Sequence, residues 1–232
     1  LNVKGTNLIT VEDPVEMDIE GINQVQVNSD IGLDFATVLR SILRQDPNVI
    51  MIGEIRDSET AQIAVRASIT GHLVLSTLHT NNSLTTIERL LDMEVERYLL
   101  ASALSGIVSQ KLARKLCDKC KKVRETNPYE KEMFRKFLNM DVNQVYEPVG
   151  CPECSSGYHG RIALQEVLLI SPDIRDAINA RMPKAELRAM VYGSDVITLL
   201  QDGLYKVIAG LTSISEVIKL TEADDEVNAE EK

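Results

Sequence analysis

The chain has 232 residues, 44% of them apolar, which is enough to bury a sizeable core, and 25 basic against 35 acidic residues give it a net charge of −10. Residues 222–232 hold six carboxylates and one lysine, so −5 sits on that end and −5 on the rest. Nine aromatics without a tryptophan, on an acidic body, argue against a dedicated nucleic-acid binder, and no apolar run reaches the roughly eighteen residues that a spanning helix needs.

The chain shows no signal-peptide pattern and reads as cytosolic. It starts at Leu1 without a methionine and enters a strand-like stretch almost at once, which suggests a piece of something longer. Leu8-Ile9-Thr10-Val11 is a short strand running into Glu12-Asp13-Pro14-Val15-Glu16. Phe35, Val38, Leu39, Ile42 and Leu43 share one face of a helix that Asp46-Pro47 stops. Val49-Ile50-Met51-Ile52 has the unbroken apolar character of a buried parallel strand. A helix opens at Asp57-Ser58, where either side chain can cap, and stops at Gly71. The next strand is 72–78, followed by a helix over 83–93.

Strands alternating with helices predict a parallel sheet whose functional groups gather past the carboxyl ends of its strands. Beyond it, 96–116 reads as one helix with Leu99, Leu100, Ala103, Leu104, Ile107, Val108 and Leu112 inward. A charged helix near 129–138 lies inside a cysteine-bounded unit, and short helices follow at 172–181, 184–192, 203–209 and 213–220. The acidic 222–232 tail buries too little apolar surface to order itself.

The strongest local signal is Cys117-x-x-Cys120 with Cys151-x-x-Cys154, two pairs that together complete a tetrahedral thiolate site. Two disulfides, or four unrelated thiols, are the blander readings, and a cytosolic chain disfavours the disulfides. Four sulfur ligands leave no open position, so such a metal, zinc, staples and does not catalyse. His159 reads as a surface residue. Glu54, after the second strand, and Glu12, Asp13 and Glu16, after the first, are each weak alone, since buried strands often end in a carboxylate. With His79 they converge on one edge of one sheet, where they can coordinate a metal, orient a water and sense a phosphate. Lys111, Arg114, Lys115, Lys119, Lys121, Lys122 and Arg124 face only Asp118 within fourteen residues. They read as a solvated helix end, or as a contact for an acidic protein or an anionic membrane surface.

Taken together these stretches resemble the secretion ATPase superfamily of type II secretion and type IV pilus assembly, over roughly 8–221. Ile9-Thr10-Val11-Glu12-Asp13-Pro14-Val15-Glu16 resembles the family's Asp box. Val49-Ile50-Met51-Ile52-Gly53-Glu54-Ile55-Arg56-Asp57 resembles its Walker B segment, and Thr70-Gly71-His72 through His79-Thr80-Asn81 its His box. The paired cysteines match the metal-binding subdomain of the assembly and export ATPases and set the retraction-type motors behind. Gln201-Asp202-Gly203 and Gly210-Leu211-Thr212-Ser213 resemble the C-terminal helical domain. One element is missing: G-x-x-x-x-G-K-S/T occurs nowhere among the 232 residues.

The resemblance implies an α/β fold with a partial RecA-like P-loop ATPase core at 1–114, a tetracysteine zinc subdomain at 115–160 and a C-terminal helical domain at 161–221. It implies ATP, Mg²⁺ and structural zinc as cofactors. Glu54, Glu12 and His79 would be catalytic, and Asp13, Asp57, His72, Glu54 and His79 nucleotide-binding. The partners implied are five further copies in a cytoplasmic hexamer, with an inner-membrane platform protein and its adaptor. Without the phosphate loop the chain alone is expected to be inactive. The rival reading is a zinc-stapled docking module without catalysis of its own.

Overall fold

The computed structural model describes residues 1–193 and 196–227, with side chains up to 221. The chain divides into two compact units. The first comprises Leu1–Thr80, Leu84–Gly106 and Leu169–Arg188; the second comprises Asn81–Ser83, Ile107–Leu168 and the described residues from Ala189 onward.

The first unit is built on four strands, β1 (Leu8–Glu12), β2 (Asn23–Gln26), β3 (Val49–Ile52) and β4 (Leu73–Ser76), in the order β2-β1-β3-β4. All neighbours run parallel, with Leu8 opposite Val49, Val11 opposite Ile52, and Ile52 opposite Ser76. Val11, Ile50 and Ile52 are fully buried, as continuous apolar runs in a covered sheet should be. The polar β2, Asn-Gln-Val-Gln, carries no such signal and joins the sheet through backbone pairing with β1. Helices α1 (Phe35–Ile42) and α2 (Ser58–Ile69) pack side by side; α3 (Ser83–Asp92) and α4 (Arg97–Ala103) follow. Asp34 caps α1 by accepting from Thr37 N at 2.7 Å, so the helix begins where the apolar face does. Further along, α6 (Pro172–Asn179) packs on α4, and Arg175 Nη1 donates to the Ala101 carbonyl at 2.6 Å, satisfying an acceptor in the last turn of α4.

The single helix expected over 96–116 is not found. The chain leaves α4 at Leu104, whose ψ of 122° is extended, and Gly106–Leu116 forms strand β5, paired with β8 (Tyr158–Leu169). The apolar spacing fits either structure locally; a long-range partner strand decides it. Between them lie β6 (Lys122–Glu125), helix α5 (Pro128–Leu138) and β7 (Gln144–Glu147). β6 and β7 are antiparallel, with Lys122 opposite Glu147 and Glu125 opposite Gln144. Asn127 and Glu130 close a capping box on α5, with Pro128 in its first turn. Helices α7 (Lys184–Tyr192), α8 (Leu199–Ile208) and α9 (Ile214–Val227) complete the chain. α8 starts four residues before the expected 203, at a Thr198–Gln201 capping box.

The cysteine-bounded segment carries its own apolar weight beside the four thiols. Met133, Phe134 and Val145 bury into a cluster with Leu164, Leu204, Val207 and Val217. The tail also differs from expectation, since the backbone of 222–227 continues α9; residues 228–232 lie outside the described residues. Among the described residues no helix is long and apolar enough to cross a membrane.

Candidate functional site

Because β1, β3 and β4 are parallel, their carboxyl ends share one edge. Glu12 is the last residue of β1, Glu54 lies two past β3, and His79 lies three past β4. Gly53 N donates to the Val11 carbonyl at 2.7 Å, and a Cβ on Gly53 would stand 3.3 Å from that oxygen and 3.4 Å from Glu12 Cα. Glycine is what lets the two strand exits run this close. On the other side, Thr77 Oγ1 donates to the Gly53 carbonyl at 2.6 Å and Ile55 N to the Thr77 carbonyl at 3.1 Å.

These bonds bring Glu54 and His79 together: His79 Nε2 lies 3.0 Å from Glu54 Oε2. The other oxygen, Oε1, accepts from Arg56 Nη2 at 2.5 Å. The Glu54 side chain is 14% exposed, whereas Arg56 and His79 are 63% and 86% exposed. The Arg56 guanidinium, with His79 as a smaller influence, holds the Glu54 carboxyl below the usual range. Glu12 Oε1 accepts from Thr10 Oγ1 at 2.5 Å and from Gln24 Nε2 at 3.0 Å. Asp13 is exposed, and its charge helps to keep Arg56 protonated after the larger effect of Glu54.

Two of the expected nucleotide-binding residues stand apart from this group. Asp57 caps α2, accepting from Thr60 N and Thr60 Oγ1, both at 2.8 Å, so its two oxygens serve the helix. His72 precedes β4, at the opposite end of that strand from His79. Its Nδ1 lies 3.0 Å from the Ala67 carbonyl and 3.2 Å from Thr70 Oγ1, which ties the strand's start to the last turn of α2. Arg56, Thr10 and Gln24 were not singled out from the sequence. Arg56 stood inside a quoted motif, but nothing local tells that it folds back on Glu54.

The second constellation is the tetracysteine cluster. Cys117 follows β5 directly, and its Sγ lies 4.0 Å from that of Cys151; Cys120 and Cys154 are 3.7 Å apart, Cys151 and Cys154 3.6 Å. All four thiols are free and lie within 4.8 Å of one another, so the disulfide reading fails. Four sulfurs at about 2.3 Å from one centre are separated by about 3.8 Å in a tetrahedron. The donor set and its spacing therefore fit a metal. Gly150 N donates to Cys120 Sγ at 3.4 Å and Cys151 N to Cys154 Sγ at 3.3 Å; burial pushes the Cys120 thiol up, whereas at Cys154 the hydrogen bonds outweigh burial and bring the thiol down to about 7. Gly157 has a φ of 89°, and a Cβ on it would drive into Pro148.

Five of the seven cations of the basic run beside this cluster stand in ion pairs. Lys115 and Lys121 both reach Asp118, Lys119 reaches Glu153, Arg114 reaches Glu216 and Arg124 reaches Glu130 and Glu147. Lys111 Nζ donates to the Leu220 carbonyl at 2.8 Å.

Known proteins resemble this chain over nearly its whole length. The family described as Type II/IV secretion system protein matches residues 1–219. The putative type II secretion system protein E of Escherichia coli K12 is 49% identical over 230 residues, 99% of this chain and 46% of that protein. The type IV pilus assembly ATPase PilB of Acinetobacter baylyi is 45% identical over 224 residues, 95% of this chain and 39% of that protein. Among solved structures, the pilus retraction motor PilT with bound ADP superposes with a TM-score of 0.66 at 28% identity, covering 94% of this chain and 54% of that one. The chain thus spans under half the length of these curated relatives. With residues 1–219 inside the family match and an α/β parallel-sheet fold shared with a solved motor, this chain belongs to the Type II/IV secretion system protein family.

Proposed function

We propose that the chain is the C-terminal part of a hexameric cytoplasmic ATPase that powers assembly of type IV pili or type II pseudopili at the inner membrane. The observation that carries this reading is the shared strand edge, where Glu54 pairs with His79 at 3.0 Å and Glu12 closes the neighbouring strand. Phosphoryl transfer asks little covalent chemistry of a protein; it needs an oriented water and a well-placed field. Glu54, held ionised by Arg56, is an acceptor suited to orienting the attacking water more than to abstracting its proton. For that it must exchange one of its two present partners for the water. His79, mostly exposed and hydrogen-bonded to Glu54, is placed to contact the γ-phosphate and to pass its loss to Glu54.

Mg²⁺, when bound, would neutralise charge on the phosphates. Glu12, whose Oε2 accepts no hydrogen bond among the described residues, and the exposed Asp13 would hold it or its waters. Asp57 would act at one remove, as the cap of α2, and His72 would support β4 from its far end. The four cysteines would hold zinc as a structural ion. No G-x-x-x-x-G-K-S/T is present in these 232 residues, so the chain alone would neither bind nor hydrolyse ATP appreciably.

Titrating MgATP calorimetrically into this chain and into the whole protein tests the reading. Binding only by the whole protein is the expected result; micromolar binding by the chain alone would mean a phosphate site elsewhere. In the whole protein, Glu54→Gln should lower turnover by about 10²-fold, the scale for losing the placement of a reacting group. Full activity in that variant moves the role to another residue.

A further inference from the structure

Residues 13–22 connect β1 to β2, and two glutamines on β2 bind this loop. Gln26 Oε1 accepts from Val15 N at 3.2 Å. Gln24 is used more fully: its Oε1 accepts from Ile19 N at 2.8 Å, and its Nε2 donates to the Met17 carbonyl at 2.9 Å and to Glu12 Oε1 at 3.0 Å. A carboxamide has two N–H groups and one carbonyl, so both hydrogens and the oxygen of Gln24 are engaged. Thr10, opposite Gln24 in the β1–β2 register and 3% exposed, donates to the same Glu12 oxygen at 2.5 Å. Glu12 Oε1 therefore receives two hydrogen bonds, while Oε2 receives none among the described residues.

We infer that Gln24, helped by Thr10, is a positioning residue for Glu12: it fixes the carboxylate with one oxygen free and makes that setting depend on the conformation of loop 13–22. The inference rests on the reading of Glu12 as a participant in hydrolysis. A glutamate side chain has three rotatable bonds, and at a strand end it samples several rotamers unless donors restrain it. A misplacement of about 1 Å is enough to cost a catalytic group much of its effect. Two donors on one oxygen supply the restraint, and one of them belongs to an amide that also grips Met17 and Ile19. The orientation of Glu12 and the shape of the loop are thereby wired through a single side chain.

The test uses the whole protein carrying Gln24→Met, which keeps length and removes the amide, Thr10→Val, which removes only the hydroxyl, and Thr10→Ser, which restores it. Each is measured alone and with Glu12→Gln. Hydrogen exchange at Ile19 N is followed without nucleotide. Gln24→Met and Thr10→Val should each lower kcat roughly five- to thirtyfold, the scale of one or two hydrogen bonds lost from a positioned group. KM for ATP should stay within about twofold. Thr10→Ser should recover most of the loss, and neither variant should add a loss on top of Glu12→Gln. Exchange at Ile19 should quicken in Gln24→Met and not in Thr10→Val. The inference is overturned, with the reading of Glu12 left standing, by any of three results: normal kcat in Gln24→Met beside an impaired Glu12→Gln, an equal further loss on the Glu12→Gln background, or unchanged Ile19 exchange in Gln24→Met. Normal turnover by Glu12→Gln alone overturns both.

Discussion

The two compact units keep their shape by different means. In the first, strands β1 and β3 bury Val11, Ile50 and Ile52 completely, and the charged groups are pushed to the strand ends. There Glu54 meets two mostly exposed partners, Arg56 and His79. In the second, the sheets are two strands each, and a small cluster around Phe134, Leu204 and Val217 shares the task with ion pairs and four thiols. Arg124 grips Glu130 through two hydrogen bonds of 2.6 and 2.8 Å, and Glu130 is 4% exposed. An arginine–glutamate pair therefore has two meanings in one chain. At the sheet edge it can be exchanged for water or phosphate; beside the small core it is part of the frame.

The largest effect that can break this contrast is removal of the zinc that the four thiols are proposed to hold. Structural zinc held by thiolates contributes folding energy outright, on the order of 10 kcal/mol in small metal-dependent folds. A chelator should speed amide exchange around 117–121 and 150–157 and leave β1 and β3 protected. Because Phe134 and Val145 sit in an apolar cluster, α5, α8 and α9 should respond less than the cysteine turns. Equal loss of protection in both units would erase the distinction between them.

Breaking the two arginine pairs comes next. Arg124→Ala strands a nearly buried carboxylate and should cost about 2–3 kcal/mol. Arg56→Ala removes a mostly exposed side chain and leaves Glu54 its bond to His79, so the melting temperature should move much less than in Arg124→Ala. Gly203→Ala should cost about 1–3 kcal/mol, because its Cβ would press on Val217 Cγ1 and Cγ2 where α8 meets α9.

The smallest effect is the pH dependence. Arg124 holds Glu130, and Arg114 holds Glu216, below the ordinary carboxylate range, each against the opposing effect of burial. A folded value below the unfolded one means stability that is present above the unfolded value and lost as pH falls through the folded one. The second unit should therefore weaken on acidification below the usual glutamate range. Glu130→Gln should flatten that slope without touching exchange in β1 and β3.

Local pattern was enough for β1, β3 and β4, for α1, α2, α3 and α5, and for the two cysteine pairs. Continuous apolar runs, caps and tight-turn spacings are properties of neighbouring residues. The same holds for Glu12, Glu54 and His79, since parallel order alone sends strand ends to one edge. Two kinds of strand lay beyond reach. β5 looked helical because its outward face carries Val108 and Leu112 while small Ser109 and Ala113 point inward, which blurs the alternation of a strand. β2, β6 and β7 are polar, and backbone pairing makes them strands.

What the sequence determined by itself is the chemistry present: two carboxylates and an imidazole after apolar strands, and four thiols in two pairs. What tertiary structure decided is which of these groups remain free to act. Asp57 is consumed as a cap, His72 is tied to the far end of its strand, and Glu54 is clasped by an arginine two residues away. Glu12 owes its setting to Gln24, twelve residues along the chain and diagonal to it across the β1–β2 pairing, where Gln24 stands opposite Thr10. Hydrogen bonds of that kind depend on register between strands, and register is fixed only when the whole sheet closes.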